Sequence, residues 1–364
     1  MKAIEARFNL KTVLFIVPYP KGSAPSQRFR FEQYFGILKA NGIQFTVSSF
    51  WSERAWSILY QQQNIILKTY YLVLGYIKRL FLLGSIKKYD LIFIHREAAP
   101  VGPPLIEYII SNIFKKKIIY DFDDAIWLPN TSNQNKLAQY FKHHSKVNSI
   151  CKWSWKVSCG NDFLANYARK FNRNVFVNPT TIDTNYHRPK GTKQNNEKLV
   201  VGWTGTHSTA KYLTSIIPII EQLISKYTIE FLVISNQNPK LELDGYRFIK
   251  WNKTKEIEQL DKIDIGIMPL NDTVWEEGKC GFKALQYMAL EKATVVSDVG
   301  VNKNIVDHEL NGFLCQSDKE WMKYLSSLIE NQKLRKSIGK QGRKIVIANY
   351  SVTSNTELFL SLFE

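Results

Sequence analysis

The residues best suited to chemistry lie in a glycine-containing turn before a predicted helix. The segment EEGKCGFKALQ contains Gly278 and Gly281, with Lys279 and Lys283 on either side of the second glycine. Backbone amides at a helix N-terminus bind anions, so a diphosphate could lie there and be neutralised by either lysine. Gln286, one turn into the helix, could hydrogen-bond a ribose hydroxyl. The alternative is an apolar helix packed on a sheet, which leaves the lysines and glycines unexplained.

A second turn, GWTGTHSTAKYL, follows the strand predicted to open the second half of the chain. Gly205 permits a tight turn, and Ser208 or Thr209 can cap the helix that follows. Lys211 lies in the opening turns of that helix, so the amides and the lysine could form an anion site. The glycine spacing is not the dinucleotide-binding fingerprint. A capped helix with a solvated lysine is the alternative.

Three aspartates cluster at the end of the predicted strand KIIYDF. Asp121 and Asp123 have the D-x-D spacing that can hold Mn²⁺ or Mg²⁺ on a diphosphate. Alternate side chains of a strand point to opposite faces, so the three carboxylates are not expected all to face one ion. We therefore expect no metal site and predict that Asp123 or Asp124 bonds ligand hydroxyls in a cleft. Capping of a turn is the alternative role.

Further polar candidates follow two other predicted strands. In HREAAPVGPP, Arg96 and Glu97 could hold a phosphate or a sugar, and Arg28 and Arg30 in VPYPKGSAPSQRFR are similar candidates. For each of these side chains a surface ion pair is the alternative. The histidine pair at 143–144 and the single histidine at 187 have no ligand-like spacing, and we interpret them as surface residues.

Strand-like runs alternate with helix-length segments along the whole chain, which is typical of parallel sheets covered on both faces. Twelve such runs are too many for one ordinary open sheet, so the pattern predicts two βα domains. The polar stretch HRPKGTKQNNEK, at 187–198, has the composition of a linker. We predict domains at 1–188 and 189–350, followed by a C-terminal helix at 351–364 that crosses back to the first domain.

Residues 51–88 interrupt this rhythm with a basic, aromatic and helical insert. Its apolar residues recur at i, i+4, i+7, i+11 and i+14, which defines a helical stripe of Ile66, Tyr70, Val73, Ile77 and Leu80. Two interpretations stay open. The insert is a long surface helix packed on the N-terminal sheet, or it lies in a membrane interface with basic residues on lipid phosphates and aromatics at headgroup depth. The packed face and the lipid face could also belong to one helical hairpin.

The charge of the chain is strongly uneven. Of 364 residues, 49 are Lys or Arg and 32 are Asp or Glu, and residues 1–188 hold 26 basic against 11 acidic side chains. Such a field favours a polyanionic neighbour for the first half, either nucleic acid or an anionic membrane. Four scattered cysteines, no signal-peptide pattern and no uncharged run of about 20 apolar residues favour a cytoplasmic protein.

The sequence resembles the retaining, nucleotide-sugar-dependent glycosyltransferases of family 4, over nearly the whole chain. GKCGFKALQYMA, TVVSDVG and NIVDHELNGFL follow the family run E-G-F-G-L-P-x-L-E-A-M-A, G-x-P-V-V and G-G-x-x-E-I-V…N-G-F-L. GWTGTHSTAK is similar to the family's G-R-x-x-x-x-K turn, and NPTTID to its P-N-G-V-D run. The resemblance implies the GT-B fold, in which two Rossmann-like parallel-sheet domains face a cleft.

The resemblance also implies roles for individual residues. Lys211 corresponds to the phosphate-binding lysine, and the loop containing Gly22 approaches donor and acceptor. Together with the turns described above, this gives a donor-binding set of Gly22, Gly205, Thr206, Lys211, Glu277, Gly278, Lys279, Gly281, Phe282, Lys283 and Gln286. The catalytic set is Asp123, Asp124, Lys211 and Lys279, and the acceptor-binding set is Arg28, Arg30, Arg96 and Glu97.

The sequence departs from the family pattern at four positions. Gly278 replaces the first glutamate of the E-x7-E pair, with two glutamates just before it, and Gln286 replaces the second. Thr206 replaces the phosphate-binding arginine, and we predict that Lys279 supplies the missing charge. Asp123 stands where the family often has a histidine near the transferred sugar.

We therefore predict a metal-independent hexosyltransferase that uses a nucleotide-sugar as co-substrate and needs no cofactor. The basic N-terminal half favours a glycan or lipid-linked acceptor in surface-polysaccharide assembly, at the inner face of the membrane. A nucleotide-sugar epimerase of the same architecture is the first alternative. A nucleic-acid-binding protein is the second, although no nucleic-acid motif is present and the aromatics accompany apolar stripes instead of basic loops.

Overall fold

The computed structural model describes residues 10–59, 64–129, 142–190 and 198–364. Tyr60 of the predicted helical insert and residues 191–197 of the predicted linker lie outside the described residues. The chain divides into two compact units. Unit 1 extends to Thr180 and includes Thr356–Glu364, and unit 2 spans Thr181–Asn355. These divisions fall at 180/181 and 355/356, whereas the sequence suggested 188/189 and 350/351.

Unit 1 is built on a parallel sheet with the strand order β2-β1-β3-β4-β5-β6. Its central strands are almost wholly apolar because helices cover both faces, and residues 13–17 of the first strand are fully buried. The strands are β1 Lys11–Val17, β2 Ile43–Ser49, β3 Leu91–His95, β4 Lys117–Phe122, β5 Lys156–Cys159 and β6 Val175–Val177.

Unit 2 contains a second six-stranded parallel sheet, with the order β12-β11-β10-β7-β8-β9. The strands are β7 Leu199–Gly205, β8 Ile229–Ser235, β9 Arg247–Lys250, β10 Ile265–Met268, β11 Ala293–Ser297 and β12 Phe313–Cys315. Each of the twelve strands overlaps a predicted one, so the predicted α/β architecture of two parallel sheets is confirmed.

The helices of unit 1 include the final helix of the chain. They are α1 Pro25–Arg30, α2 Phe35–Ala40, α3 Glu53–Leu59, α4 Ile65–Leu83, α5 Leu105–Tyr108, α6 Lys146–Trp153, α7 Asp162–Arg169 and α15 Thr356–Ser361, with a π-helical turn at Ile109–Ile113. Phe359 of α15 stacks on Tyr34 with ring centroids 4.1 Å apart, and Phe363 stacks on Phe93 at 6.2 Å. Aromatic packing therefore ties the C-terminus to the first sheet.

Unit 2 contains the remaining α-helices and a short 3-10 helix at Ala210–Leu213. The α-helices are α8 Ile217–Lys226, α9 Glu256–Asp261, α10 Val274–Glu277, α11 Phe282–Ala289, α12 Asn302–Ile305, α13 Asp318–Glu330 and α14 Gln332–Asn349. Short 3-10 helices also occur at Glu32–Tyr34, Ile86–Lys88 and Lys253–Lys255.

Both sheets have a point where the strand order reverses. In unit 1 it lies between β1 and β3, and in unit 2 between β7 and β10. In open parallel sheets, ligands bind beyond the carboxyl ends of the strands at such a point, because the loops diverge there and leave a crevice. A site is therefore expected in unit 1 at the loops after β1, β3 and β4. In unit 2 it is expected at the loops after β7 and β10.

Helix α4 packs on unit 1 by one face only. Leu72 and Tyr76 contact the cluster around Phe50 and Trp51, and the Tyr76 hydroxyl donates to the Val101 carbonyl. On the same face, the fully buried guanidinium of Arg79 donates to carbonyl oxygens of Val17, Ser48 and Ala98. These bonds tie α4 to the carboxyl ends of β1 and β2 and to the loop after β3.

The apolar stripe predicted from the sequence occupies the opposite, outward face of α4. Ile66 is 88% exposed, and the other four stripe residues are between 41% and 58% exposed. The helix therefore packs on unit 1, as the first interpretation expects, but through residues other than those of the predicted stripe. Helix α4 is apolar on both faces, and its packing contacts come from residues between those of the stripe. Among the described residues no helix is long and apolar enough to cross a bilayer.

Candidate active site

In unit 2, the loop after β7 and the turn between α10 and α11 are held against each other. The Tyr212 hydroxyl, in the 3-10 helix that follows β7, donates to the Glu276 carboxylate at 2.5 Å. Glu276 is buried and also accepts from the Thr273 hydroxyl. The two turns that the sequence singled out separately therefore form one structural element at the carboxyl edge of the second sheet.

Three lysines of this element lie against aromatic rings. The Lys211 ammonium is 5.1 Å from the centroid of Tyr212, and Lys279 is 5.2 Å from that of Trp275. Lys283, in the first turn of α11, lies 5.7 Å from the ring of Trp203 on β7. Cation–π contact holds a long flexible stem in place. We call these three lysines of one structural element the positive cluster.

Gly281 sets the direction in which α11 begins. It has a φ of +65° and is the N-cap residue, so the chain turns through the left-handed region and then enters the helix. A Cβ at this position would lie 2.1 Å from the Ile305 Cδ1 atom, so a larger residue meets both strain and a clash. The first amides of α11 follow directly, between Lys279 and Lys283.

The turn after β7 is closed by its own side chains. The Thr206 amide donates to Thr209 Oγ1 at 3.1 Å, and the Thr206 and Ser208 hydroxyls are 2.8 Å apart. Thr209 makes no side-chain cap bond to the following helix, which is a 3-10 helix, so the predicted cap is wrong. Gly205 allows the Trp203 ring to approach, because a Cβ there would lie 2.3 Å from the indole.

The glutamates before Gly278 have different surroundings. Glu276 is buried and engaged with Tyr212 and Thr273, so it stabilises the element from inside. Glu277 is half-buried, and its backbone lies 3.2–3.4 Å from where a Cβ would stand at Gly300. Of the two, Glu277 is the one with side-chain surface, and its role on a donor stays a prediction.

Gln286 is buried on α11, and its Nε2 atom is 3.4 Å from His187 Nε2. The interpretation of His187 as a surface residue is wrong: it is fully buried, and its carbonyl accepts from Arg343 at 2.8 Å. The sequence around His187 did not indicate its burial, because its partners lie about 100 and 156 residues further along the chain. The role of Gln286 on a ribose stays a prediction.

In unit 1, the loops after β3 and β4 bring Arg96, Asp123 and Asp124 together. Arg96 Nε donates to Asp123 at 2.8 Å, and Arg96 Nη2 donates to Asp124 at 2.6 Å. The three side chains are 12–19% exposed. Although burial lowers the pKa of Arg96, the two carboxylates raise it well above its usual value. The cluster keeps polar atoms at the surface of the loops, where hydroxyl groups could bind.

The Arg96 backbone is held in an unusual conformation. Its φ is +60°, although it is not a glycine, and its amide and carbonyl are both engaged, with Asp121 and Tyr120 respectively. Such conformations persist where surrounding contacts fix them, and they concentrate at functional sites. Tyr19, from the loop after β1, is half-buried near the cluster. Burial raises its pKa, and Arg96 opposes that shift.

Behind this cluster lies a buried ion pair that changes two predicted roles. Arg30 is 1% exposed, and its guanidinium bonds Asp121, the Asn178 carbonyl and Ser158. It therefore offers no surface to an acceptor, and we assign it to holding Asp121. Burial raises the pKa of Asp121, but Arg30 and His95 outweigh this and hold it well below the usual value. The Asp121 carboxylate is thus engaged by Arg30, His95 and Ser158.

The other predicted residues of unit 1 are placed as follows. Glu97 forms an ion pair with Lys146 at 2.6 Å. This is the ion-pair alternative that the sequence left open for Glu97. Arg28 is half-buried beside the Phe29 ring. The Gly22 amide donates to Glu32 at 2.8 Å, and Gln27 bonds Tyr19 and Glu32, which fixes the loop after β1. The described residues contain no group of three metal-ligating side chains.

Sequence reasoning missed the buried partners of this site. Tyr212, Gln27, Glu32, Lys146 and His95 hold the exposed residues in place, yet none belongs to a short motif. The position of His95 at the end of a predicted strand was the one available signal. The others depend on contacts between distant segments, which spacing along the chain does not encode.

A family model matches the part of the chain that carries the lysine cluster. Residues 230–345 match the model described as Glycosyl transferases group 1. This range includes the turn at Gly281 and the helix α11, and it excludes Lys211. No curated protein gives a significant sequence match.

Solved structures resemble the whole chain at low sequence identity. The Anabaena protein HepE, in complex with UDP and glucose, is 16% identical with a TM-score of 0.69, and the similarity covers 98% of this chain and 100% of HepE. Sucrose-phosphate synthase from Thermosynechococcus elongatus is 12% identical, with a TM-score of 0.69 and coverage of 97% and 99%. A glycosyltransferase from Rickettsia africae is 14% identical, with a TM-score of 0.69 and coverage of 98% and 100%.

The fold of the chain is the GT-B fold, and residues 230–345 are similar to the group 1 glycosyltransferases. The predicted GT-B fold and the predicted resemblance to group 1 glycosyltransferases are both confirmed. The second unit carries the group 1 region itself. The narrower assignment to family 4 stays a prediction.

Proposed function

We propose that the chain transfers a sugar from a nucleotide-sugar to an acceptor, with retention of anomeric configuration. The observation that supports this most is the cluster of Lys211, Lys279 and Lys283 beside the N-terminus of α11, within or next to the group 1 region. Three cations and a helix N-terminus at one strand edge suit a diphosphate.

In this proposal, unit 2 stabilises the charge that develops on the leaving diphosphate. Negative charge grows on the phosphate oxygens as the bond to the sugar breaks, so fixed cations and amides lower the barrier. Lys211 and Lys279 are held by aromatic rings before the donor arrives, which avoids reorganisation during the reaction. No metal is required, because the lysines and amides supply the positive charge.

Unit 1 would bind the acceptor and orient hydroxyl groups. The Arg96, Asp123 and Asp124 cluster presents carboxylate acceptors whose positions are fixed by one guanidinium. Carboxylates bind sugar hydroxyls through short charge-assisted hydrogen bonds. Arg28 and Glu97 border the same loops and are further acceptor candidates, with Glu97 already paired to Lys146.

The donor is best sought first among UDP-sugars, because HepE binds UDP and glucose in one of its structures. A thermal-shift series with UDP-, GDP- and ADP-sugars tests the donor. A ligand at 100 times its dissociation constant adds about 2.7 kcal/mol to stability. Selective stabilisation by one nucleotide class is expected, and no shift with any of them would contradict the proposal. NMR of the products then separates transfer to an acceptor from epimerisation of the donor alone.

We also propose that the acceptor is lipid-linked and that α4 places the enzyme on an anionic membrane, as a step in surface-polysaccharide assembly. The outward apolar face of α4 lies in the unit that carries most of the excess positive charge. An amphipathic helix of this kind binds a membrane interface by apolar burial together with attraction to anionic lipids.

Flotation with vesicles of phosphatidylglycerol and phosphatidylcholine tests the membrane part separately. The variant Ile66→Ser/Phe81→Ser removes two side chains that are at least 80% exposed, so it is expected to lose flotation without losing stability. Leu310→Ser, which changes an exposed leucine of unit 2, is the matched control and should float like the wild type. Wild-type protein that stays unbound at low salt would remove the membrane proposal and leave the donor proposal standing.

A further inference from the structure

His95 is the most deeply buried titratable group near the acidic cluster of unit 1. It is the last residue of β3, it is fully buried, and its ring lies 5.3 Å from that of Phe31 in an edge-on contact. A histidine in such a position usually has both ring nitrogens engaged. His95 has only one engaged, and the other faces the cluster.

Asp121 fixes the ring of His95 through Nδ1. The Nδ1 atom is 2.8 Å from Asp121 Oδ2, and the other carboxylate oxygen accepts from Arg30 and from the Ser158 hydroxyl. Because Asp121 is surrounded by donors and stays ionised, it can only accept, so the proton between the two groups belongs to Nδ1. The hydrogen bond to Asp121 therefore fixes the orientation of the His95 ring.

The Nε2 atom of His95 points the opposite way. It is buried and has no hydrogen-bond partner among the described residues. Its nearest charged neighbour is Asp123, whose Oδ1 lies 4.0 Å away. Leaving a buried polar atom without a hydrogen bond costs free energy. An unsatisfied nitrogen beside a carboxylate that is proposed to bind ligand therefore indicates a functional role.

We propose that His95 is a positioning residue with a proton on each ring nitrogen. Its Nδ1–H donates to Asp121, and its Nε2–H faces the carboxylate of Asp123 and orients it. The chain of contacts runs from Arg30 through Asp121 and His95 to the exposed cluster. Asp123 and Asp124 share one guanidinium, that of Arg96, so a second positive or donating group behind Asp123 determines where its oxygens point. The ligand class is a hydroxyl-bearing sugar, and this role rests on the proposed function.

The imidazole resonances of the full-length protein test the contact without any substrate. In protein labelled with [¹⁵N]histidine, the His95 signals are assigned from their loss in His95→Asn. The variant Asp123→Asn is expected to shift the His95 Nε2 resonance and to leave Nδ1 in place, because Asp121 is unchanged. An Nε2 resonance that does not respond to Asp123→Asn would overturn the proposal.

Two substitutions of His95 separate positioning from structural support. The amide of His95→Asn stands near the place of Nδ1, so it keeps the bond to Asp121 and loses the group that faces Asp123. The amide of His95→Gln reaches the place of Nε2. We expect kcat/KM with UDP-glucose, or with the nucleotide-sugar that stabilises the protein most, to fall roughly tenfold to a hundredfold in His95→Asn. His95→Gln is expected to stay within about threefold of the wild type.

The dissociation constant of UDP is expected to be equal in all three proteins, since the nucleotide is proposed to bind unit 2. Equal losses in the Asn and Gln variants would mean that His95 only supports the fold, and the proposal would be wrong. If the wild-type protein binds no nucleotide-sugar, the proposed function fails, whereas the ¹⁵N comparison still decides the role of His95.

Discussion

The two strand edges hold their charged groups in opposite ways. In unit 1 the cations lie against carboxylates: Arg30 on Asp121, and Arg96 on Asp123 and Asp124. In unit 2 the lysines of the cluster lie against the rings of Tyr212, Trp275 and Trp203. A carboxylate partner neutralises a cation, whereas contact with an aromatic ring does not by itself cancel the charge.

This difference indicates what each edge can bind. The cluster of unit 1 holds two carboxylates on one guanidinium, so it suits a ligand whose hydroxyl groups can donate to those carboxylates. The positive cluster of unit 2 suits an anion such as a diphosphate. The same arrangement of parallel strands thus presents two chemistries, and substitutions at each edge should have different consequences for stability and for binding.

The largest expected effect follows from removing the charge of Asp121. The variant Asp121→Asn leaves the Arg30 guanidinium buried without its counterion, so we expect the free energy of unfolding to fall by about 3–5 kcal/mol. Urea denaturation measures it. Asp272→Asn, at an exposed position of unit 2, is the matched control and should change stability by less than about 0.5 kcal/mol.

The same variant predicts a pH dependence. The folded-state pKa of Asp121 is lowered, so the ionised carboxylate stabilises the fold above the usual carboxyl pKa of about 3.9, and this stabilisation is lost as pH falls below that value. The wild type should therefore lose stability more steeply than Asp121→Asn below about pH 4. Parallel pH curves would show that Asp121 does not contribute in the way proposed.

Local sequence signals predicted the strands of this fold well. Continuous apolar runs such as those of β1 and β3 are buried on both faces, and only helices and parallel neighbours can cover them in that way. The turn at Gly281 was also predictable, because a glycine before an apolar helix and between two lysines is a local pattern. The exposed members of both sites came from such patterns.

Features that depend on distant contacts were not predictable. Arg30 and Arg28 are two residues apart with the same chemistry, yet one is buried on Asp121 and the other is half-buried on Phe29. Helix α4 is apolar on both faces, so periodicity found a real stripe but could not tell which face packs. The packed face is the one that carries Arg79, whose guanidinium donates to carbonyl oxygens of β1, of β2 and of the loop after β3.

The next largest effect should come from Lys211. If it stabilises the leaving diphosphate, Lys211→Ala should lower kcat by about a hundredfold to a thousandfold and leave stability nearly unchanged. Lys226→Ala is the matched control, because Lys226 also lies over the tyrosine that follows it, at 4.7 Å, but on α8. Equal activity of the two variants would remove the assignment of Lys211 to the donor.

A smaller effect is expected from Gly281. The variant Gly281→Ala forces a Cβ into the left-handed region and against Ile305, which should cost about 1–2 kcal/mol of stability. Displacement of the first amides of α11 should also weaken UDP binding, measured by calorimetry. Gly245→Ala is a useful comparison, since Gly245 has a φ of +73° with no atom near its Cβ position. It should lose less stability, because no clash adds to the backbone strain, and it should keep the affinity for UDP.

The smallest effect concerns Lys279. We predict that it supplies the positive charge that is missing because Thr206 stands in place of the phosphate-binding arginine. Lys279→Ala should raise the dissociation constant of UDP about fivefold, or roughly 1 kcal/mol, because Lys211 and the amides of α11 remain. Lys323→Ala removes an equivalent lysine that lies 4.8 Å from the ring of Tyr324 on α13, and it should have no effect on UDP. If Lys279→Ala binds UDP as tightly as Lys323→Ala, Lys279 does not contribute to donor binding. The positive cluster then reduces to Lys211 and Lys283, and the contrast between the two edges weakens accordingly.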